Sequence, residues 1–159
     1  MPKKKIYVPK PYESSGCSGD ISANIYKSMI LSPAWQELTA QQRDLYLTCK
    51  LQAYGEKRKP IAEDPLSFTM NKGKWADLYH LYARNNGRGF QRDLTALIRL
   101  GFISCVSCGA ISRTKSIYRF SSKWRLYGTD RFCIEPGELT LAMLRRMRSE
   151  KESPVAKLS

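Results

Sequence analysis

The sequence predicts an α+β fold that is mainly helical, because helical spacing dominates up to about residue 100 and strand spacing follows it. Apolar residues recur at helical spacing up to about residue 100, and after Gly101 they alternate with polar residues at the period of a strand. Hydrophobic residues make up 42% of the 159 residues, which is enough to bury a core. We expect a flexible basic arm over 1–20, one domain over 21–127, and a linker, short basic helix and disordered tail over 128–159.

The chain is strongly basic and should have an anionic partner. Lys and Arg number 27 against 14 Asp and Glu, a formal net charge of +13 at pH 7. This charge is spread through two stretches, 72–99 and 113–131, and is not confined to a tail. Because unmatched charge repels itself, the distribution favours nucleic acid as the partner, with an anionic membrane surface as the second candidate.

The sequence contains no signal for export or membrane insertion. The basic residues that open the chain are not followed by the apolar segment of a signal peptide. No apolar run approaches the roughly 18 residues that a membrane-spanning helix needs. We therefore expect a cytoplasmic protein without a membrane partner, whose five cysteines are reduced thiols.

Two capping signals mark the first helices. Ser32-Pro33 has the form of an N-cap followed by proline at the first helical position, and should begin a short helix. Thr39 followed by Gln42 has the spacing of a capping box and should begin a longer helix that runs to about Tyr54. The short apolar segment 66–70 should then form a small strand.

The next two helices are expected to be joined by a tight turn. The first should open at Asn71 or Lys72 and share one apolar face among four residues, Trp75, Leu78, Tyr79 and Tyr82. Asparagine and glycine tolerate positive φ, so Asn85-Asn86-Gly87 should be the turn. Two helices joined in this way form a helix-turn-helix.

The second of these helices carries the most specific signal in the chain. Its apolar stripe consists of Phe90, Leu94, Leu97 and Ile98, and it should stop at Gly101, a usual left-handed cap. The opposite face is polar and basic, with Arg88, Gln91, Arg92, Thr95 and Arg99. Arginine and glutamine make bidentate hydrogen bonds to base edges in the major groove of DNA. An ordinary solvated helix face is the alternative interpretation.

A β-hairpin is predicted after this helix. The runs 102–107 and 115–121 alternate at period two, and the segment between them contains glycine, serine and basic residues. Helix, turn, helix and a hairpin with a basic tip therefore follow one another along the chain. A last segment from Glu138 to about Arg148 places Leu141, Leu144 and Met147 beside arginines, as in a short amphipathic helix.

These elements resemble a winged helix-turn-helix domain over roughly residues 21–127. The stretch Phe90–Ile103, FQRDLTALIRLGFI, is similar to the recognition-helix signature of that family, which leads into Gly-Phe-Ile. The upstream SPAWQELT, Ser32–Thr39, resembles the entry to the first long helix in winged-helix proteins of plasmids, phages and conjugative elements. These proteins include the N-terminal domains of plasmid replication initiators. The resemblance implies a two-stranded wing, here followed by a C-terminal helical extension.

The resemblance also implies where DNA would lie. It implies that five residues face the major groove, namely Asn86, Arg88, Gln91, Arg92 and Thr95, and that Arg113 and Lys115 lie on the wing. We expect Arg88, Gln91 and Arg92 to read bases, and Asn86, Thr95 and Arg99 to help position the helix. The expected phosphate contacts are Lys72, Lys74, Arg113, Lys115 and Arg119.

The sequence thus predicts a non-enzymatic, sequence-specific binder of double-stranded DNA from a mobile genetic element. Its role would be transcriptional regulation, or an accessory function in replication or transfer with the corresponding proteins as partners. One alternative is an RNA or single-strand module, which needs exposed aromatics among Tyr79, Tyr82, Tyr118 and Phe120. Another is a protein-interaction module with a docking ridge formed by Leu141, Leu144 and Met147, which is also the candidate homodimer contact.

Catalytic and metal sites find little support in the sequence. The single histidine, His80, would have to serve any triad, and no nucleophile elbow, zinc-protease motif or Walker loop is present. Cys105 and Cys108 have the spacing of half a zinc site, but no second pair accompanies them. Strand periodicity places these two cysteines on opposite faces unless a turn begins between them. We expect two ordinary thiols and no cofactor.

Overall fold

The chain combines short helices with a small antiparallel sheet, which confirms the predicted mainly helical α+β class. The structure, a computed structural model, describes residues 23–54, 64, 66–70, 72–109 and 114–152. Within these residues the α-helices are α1 (Lys27–Ile30), α2 (Pro33–Gln36), α3 (Ala40–Tyr54), α4 (Lys72–Asp77), α5 (Gly87–Arg99) and α6 (Leu141–Glu152). The strands are β1 (Ser67–Thr69), β2 (Ile103–Ser107) and β3 (Ile117–Phe120), and 3₁₀ helices cover Lys123–Leu126 and Pro136–Glu138. The predicted arm over 1–20 lies outside the described residues.

Side-chain caps begin α2 and α3 where the sequence predicts them. The Ser32 hydroxyl accepts the backbone N–H of Trp35 at 3.2 Å, ahead of proline at the first helical position. The Thr39 hydroxyl accepts the N–H of Gln42 at 3.3 Å, and the Gln42 side chain accepts the N–H of Thr39 at 3.0 Å. The capping box is therefore confirmed, and each such cap stabilises a helix by about 1 kcal/mol.

The predicted helix through Tyr82 is wrong, because α4 ends at Asp77. Residues 78–86 then connect α4 to α5 through turns and bends, so no tight turn joins the two helices. Leu78, expected on the apolar face, is 62% exposed, and His80 has a positive φ of 51°. After Asp77 the chain leaves the helical path, and the Tyr82 hydroxyl donates a hydrogen bond to the buried carboxylate of Asp93 at 2.7 Å. This tertiary contact outweighs the modest helical propensity of the segment.

The C-terminal end and the apolar stripe of α5 agree with the predictions from the sequence, whereas Asn86 is predicted as part of a turn and not as a cap. Asn86 is the N-cap, and its side-chain oxygen accepts the N–H of Gly89 at 3.0 Å. At the other end Gly101 has a φ of 78° and donates to the carbonyl of Ile98 at 3.0 Å, while the N–H of Phe102 reaches the carbonyl of Leu97 at 3.0 Å. These bonds form a Schellman cap. The predicted stripe is buried, with Phe90 at 3% exposure and Leu94, Leu97 and Ile98 at 0%.

The sheet has three antiparallel strands in the order β1-β3-β2. The predicted hairpin is β2 and β3, and the predicted small strand β1 adds to its outer edge. One cross-strand row, Phe68, Tyr118 and Cys105, is buried in the core. The alternate row, Ser67, Arg119 and Ser104, lies on the opposite face of the sheet.

An aromatic cluster fills the space between the helices and the sheet. Tyr46 of α3 meets Phe102 and Phe120 edge-on, with ring centroids 5.4 and 5.9 Å apart. Beyond β3, Leu139 and Met143 are also buried in this core, at 8% exposure each. The described chain between Ile134 and Leu144 therefore packs on the same core as the helices before it. In the described part of the chain, no helix has the length and apolar character needed to cross a membrane.

Candidate nucleic-acid interface

The polar side of α5 forms a basic surface, which we call the arginine face. It consists of Arg88, Gln91, Arg92, Thr95 and Arg99. The three arginines are exposed, whereas Gln91 and Thr95 are half-buried at its margins. At a rise of about 1.5 Å per residue, the row from Arg88 to Arg99 is about 16 Å long. Since the opposite stripe of α5 is in the core, this face can be presented to a ligand without disturbing the fold.

Ion pairing separates the arginines of this face into two kinds. Arg92 donates through Nε to Asp93 Oδ1 at 3.0 Å and through Nη2 to Asp93 Oδ2 at 3.3 Å. Arg88 and Arg99 have no carboxylate partner anywhere in the described ranges. Their full positive charge is therefore available to an anionic ligand, while Arg92 has an orientation set by the protein itself.

Asp93 is the residue that sequence reasoning missed. The sequence suggests only an acid near the basic face, but the carboxyl group is fully buried. It accepts hydrogen bonds from the Tyr82 hydroxyl at 2.7 Å and from the Gln42 amide at 3.2 Å, besides those from Arg92. Asp93 therefore connects α3, the 78–86 connection and α5. The available signal was its spacing, since Asp93 lies three residues after Phe90 and four before Leu97, on the inward side of the helix.

Asp93 stays ionised in spite of its burial. Burial alone raises the pKa of this carboxyl group, but the hydrogen bonds from Arg92, Tyr82 and Gln42 outweigh it and hold the pKa below its ordinary value. The same cluster affects Tyr82, whose pKa is raised mainly by burial and then by its hydrogen bond to Asp93. A charged acceptor with three donors is a strong local constraint on the side chains that surround it.

The remaining predicted DNA contacts lie on several elements. Lys72 begins α4, and Lys74 is half-buried on the same helix. Lys115 is exposed ahead of β3, whereas Arg113 lies outside the described residues. Arg119 is exposed on the outer face of the sheet and pairs with Asp64 at 2.9 Å. Arg119 also lines a cleft that no residue of the arginine face lines.

Cys105 and Cys108 come together, although strand periodicity predicts opposite faces. The register shifts between Cys105 and Ser107, so a bulge brings Cys108 to the side of Cys105. Burial raises the pKa of Cys105 to about 11, and contact with the Cys108 thiol adds to the shift. No cluster of three or more metal-binding side chains occurs among the residues with described positions. The pair has the geometry of two neighbouring thiols.

The aromatic residues that an RNA or single-strand module would need are mostly internal. Tyr82, Tyr118 and Phe120 are buried and Tyr79 is half-buried. Bases can stack only on exposed rings, so the requirement for two or more exposed aromatics is not met.

The ridge expected on α6 is partly used within the chain. Leu144 packs against the core and Leu141 is half-buried, while Met147 is 45% exposed.

Comparison of the chain with models of known families, with curated proteins and with solved structures finds no match.

Proposed function

We propose that this chain is a non-enzymatic protein that binds double-stranded DNA by placing the arginine face of α5 in the major groove. The observation that carries the proposal is the pair Arg88 and Arg99, two exposed guanidinium groups without an acidic partner in the described chain, on one side of a firmly packed helix. An exposed helix of this kind fits the major groove, and arginine is the side chain most often used there to recognise guanine.

The order of the elements supports a winged-helix arrangement. Helix α3, strand β1, helices α4 and α5 and the β2–β3 hairpin follow one another as the resemblance to winged helix-turn-helix domains implies. The Schellman cap at Gly101 leads from the arginine face directly into the hairpin. The hairpin would be the wing, with exposed Lys115 near its loop. The long connection between α4 and α5 replaces the tight turn of the usual motif.

Each residue of the proposed interface has a distinct role. Arg88 and Gln91 contact base edges, and Arg92, oriented by Asp93, presents its remaining guanidinium N–H groups to a base or a phosphate. Thr95 and Arg99 position the helix, and Asn86 acts through its N-cap hydrogen bond. The phosphate contacts come from lysines, namely Lys72, Lys74 and Lys115.

We place this binding activity in a mobile genetic element, in transcriptional regulation or as an accessory to replication or transfer. The two roles differ in the symmetry of the DNA that is bound. A dimeric regulator recognises a palindrome, with half-sites one helical turn apart, and an origin-binding factor meets direct repeats. The exposed Met147 at the outer side of α6 is the candidate contact for a dimer.

The first experiment is selection of random duplex DNA on the purified protein, followed by titration of the enriched site at two salt concentrations. We expect an enriched motif, and we expect Arg88→Ala to weaken binding to it by roughly tenfold to a hundredfold and to relax its specificity. Arg131→Ala is the matched control, because Arg131 is an exposed arginine outside the proposed interface. Lys115→Ala should weaken binding to all sequences alike and make the salt dependence less steep by about one unit.

Two results would contradict the proposal. Binding without enrichment, lost steeply with salt, would mean that only the net charge of the chain attracts DNA. Equal losses in Arg88→Ala and Arg131→Ala would mean that the arginine face has no special role. The burial of Tyr82, Tyr118 and Phe120 is the reason that single strands are not proposed as the ligand.

A further inference from the structure

A second basic site lies away from the arginine face, in a cleft of about 420 Å³. We call it the basic cleft. It is bordered by α1, α3, the end of the sheet and the 3₁₀ helix of residues 123–126. Sites for small molecules have volumes of about 300–1,000 Å³, so this cleft has room for one such ligand.

Lys50 of α3 is the most unusual residue in the basic cleft. It is only 6% exposed, and its ammonium donates a hydrogen bond to the backbone carbonyl of Asn24 at 2.7 Å. It also lies over the rings of Tyr26 and Tyr46, at 5.6 and 5.4 Å from their centroids. No carboxylate of the described chain pairs with it. A buried charge without a counter-ion is costly, and an anion in the cleft would compensate it.

Three more cations border the same cleft. Arg119 and Lys123 are paired with Asp64 and Glu138, so their charges are partly compensated. Arg125 is exposed, stacks on the ring of Trp124 at 5.2 Å from its centroid, and has no carboxylate partner in the described parts of the chain. A guanidinium held on an aromatic ring keeps its N–H groups free for an anion.

The other lining residues suggest the class of ligand. Hydroxyl groups come from serines, namely Ser104, Ser121 and Ser122, and exposed aromatic surface comes from Tyr26, which is 57% exposed. Several cations with hydroxyl donors suit a phosphate group, which has more charge and more acceptor oxygens than a carboxylate. The aromatic surface suits a planar ring attached to that phosphate.

We propose that the basic cleft binds a nucleoside monophosphate or a small molecule of the same class, with the phosphate between Lys50 and Arg125 and the base against the exposed ring of Tyr26. No residue of the arginine face lines the cleft. A ligand there would contact both α3 and the segment after β3, and so would stabilise the folded chain.

The test is calorimetric titration of the full chain with adenosine monophosphate, with inorganic phosphate and adenosine as separate arms. We expect saturable binding of the nucleotide, with an affinity at least tenfold higher than that of inorganic phosphate or of adenosine. Lys50→Met keeps the length and apolar stem of the buried side chain, so the fold should survive, and nucleotide affinity should fall at least tenfold. Arg125→Ala should also weaken binding, whereas Arg131→Ala and Arg88→Ala should leave it unchanged. Circular dichroism verifies that each variant is folded.

Four outcomes would overturn this inference. The first is no binding at millimolar nucleotide, and the second is equal affinity for phosphate and nucleotide. The third is unchanged affinity in folded Lys50→Met. The fourth is displacement of the nucleotide by duplex DNA, which would make the cleft part of a nucleic-acid surface. If the DNA selection failed, nucleotide binding could still be measured in all four ways. The proposed nucleotide site and the proposed DNA-binding function can therefore fail separately.

Discussion

Replacing Asp93 by alanine tests the buried cluster that joins α3 to α5. The carboxylate is fully buried and accepts hydrogen bonds from Tyr82, Gln42 and Arg92. In the variant the Tyr82 hydroxyl and the Gln42 amide stay buried without this acceptor. Each group left unpaired lowers the free energy of unfolding by about 1–3 kcal/mol. Arg92 returns to water easily, because its side chain is 68% exposed. Removing a buried charge offsets part of the loss, so we expect a net cost of about 2–4 kcal/mol.

Asp77→Ala is the matched control for this experiment. Asp77 also makes a two-bond pair with an arginine, Arg84, at 2.7 and 3.0 Å. Both partners are mainly exposed, at 53% and 79% of their side chains. Exposed ion pairs contribute only about 0–1 kcal/mol to the free energy of unfolding, and salt weakens them. The comparison therefore separates the loss of the buried hydrogen bonds of Asp93 from the loss of an exposed arginine–aspartate pair.

The assay is urea unfolding followed by circular dichroism, at neutral pH and in acid. Because the folded-state pKa of Asp93 lies below its unfolded value, its contribution is complete above the unfolded pKa of about 4. It should be lost as the pH falls through the folded pKa, so the difference between wild type and Asp93→Ala should shrink in acid. A loss in Asp93→Ala no larger than in Asp77→Ala, or a difference that grows in acid, would refute the reasoning.

Two further predictions concern a backbone cap and the thiols. Gly101→Ala should cost about 2–4 kcal/mol in free energy of unfolding for two reasons. Alanine is strained at the positive φ of this position, and its Cβ would lie 2.8 Å from the backbone nitrogen of Trp124. Gly128→Ala, with a φ of 82° and open space around it, should show only the φ cost of about 1 kcal/mol in the same urea unfolding experiments. Peptide mapping after brief treatment with a thiol reagent should find exposed Cys133 labelled in the native protein. Buried Cys49, whose pKa is raised by desolvation, should be labelled only in denaturant, and its labelling in native protein would contradict the packing of α3.

The starts of α2 and α3, the end of α5 and its two faces could be predicted from the sequence because they depend on near neighbours. Ser32 and Thr39 each bond a group three residues away, and Gly101 is required by its own φ. The apolar stripe of α5 repeats at the helical period, so burial of one side exposes the arginines of the other. The α+β class and the hairpin follow from the same local patterns.

Contacts between distant residues decided the rest. Asp93 and Gln42 are 51 positions apart, and only the packing of α3 on α5 shows that the carboxylate is internal. The end of α4 at Asp77 depends on the reach of Tyr82 to that same carboxylate, which outweighs local helix propensity.

The meeting of Cys105 with Cys108 and the formation of the basic cleft have the same origin. The first depends on the register of β2 against β3, and the second on the approach of Lys50 to residues of the sheet and the 3₁₀ helix. Helical period and capping are properties of neighbouring residues, so the sequence by itself determined the main elements and the arginine face. Burial of a charge or pairing of distant side chains depends on how whole elements pack, so only the tertiary structure decided the Asp93 cluster and the cleft.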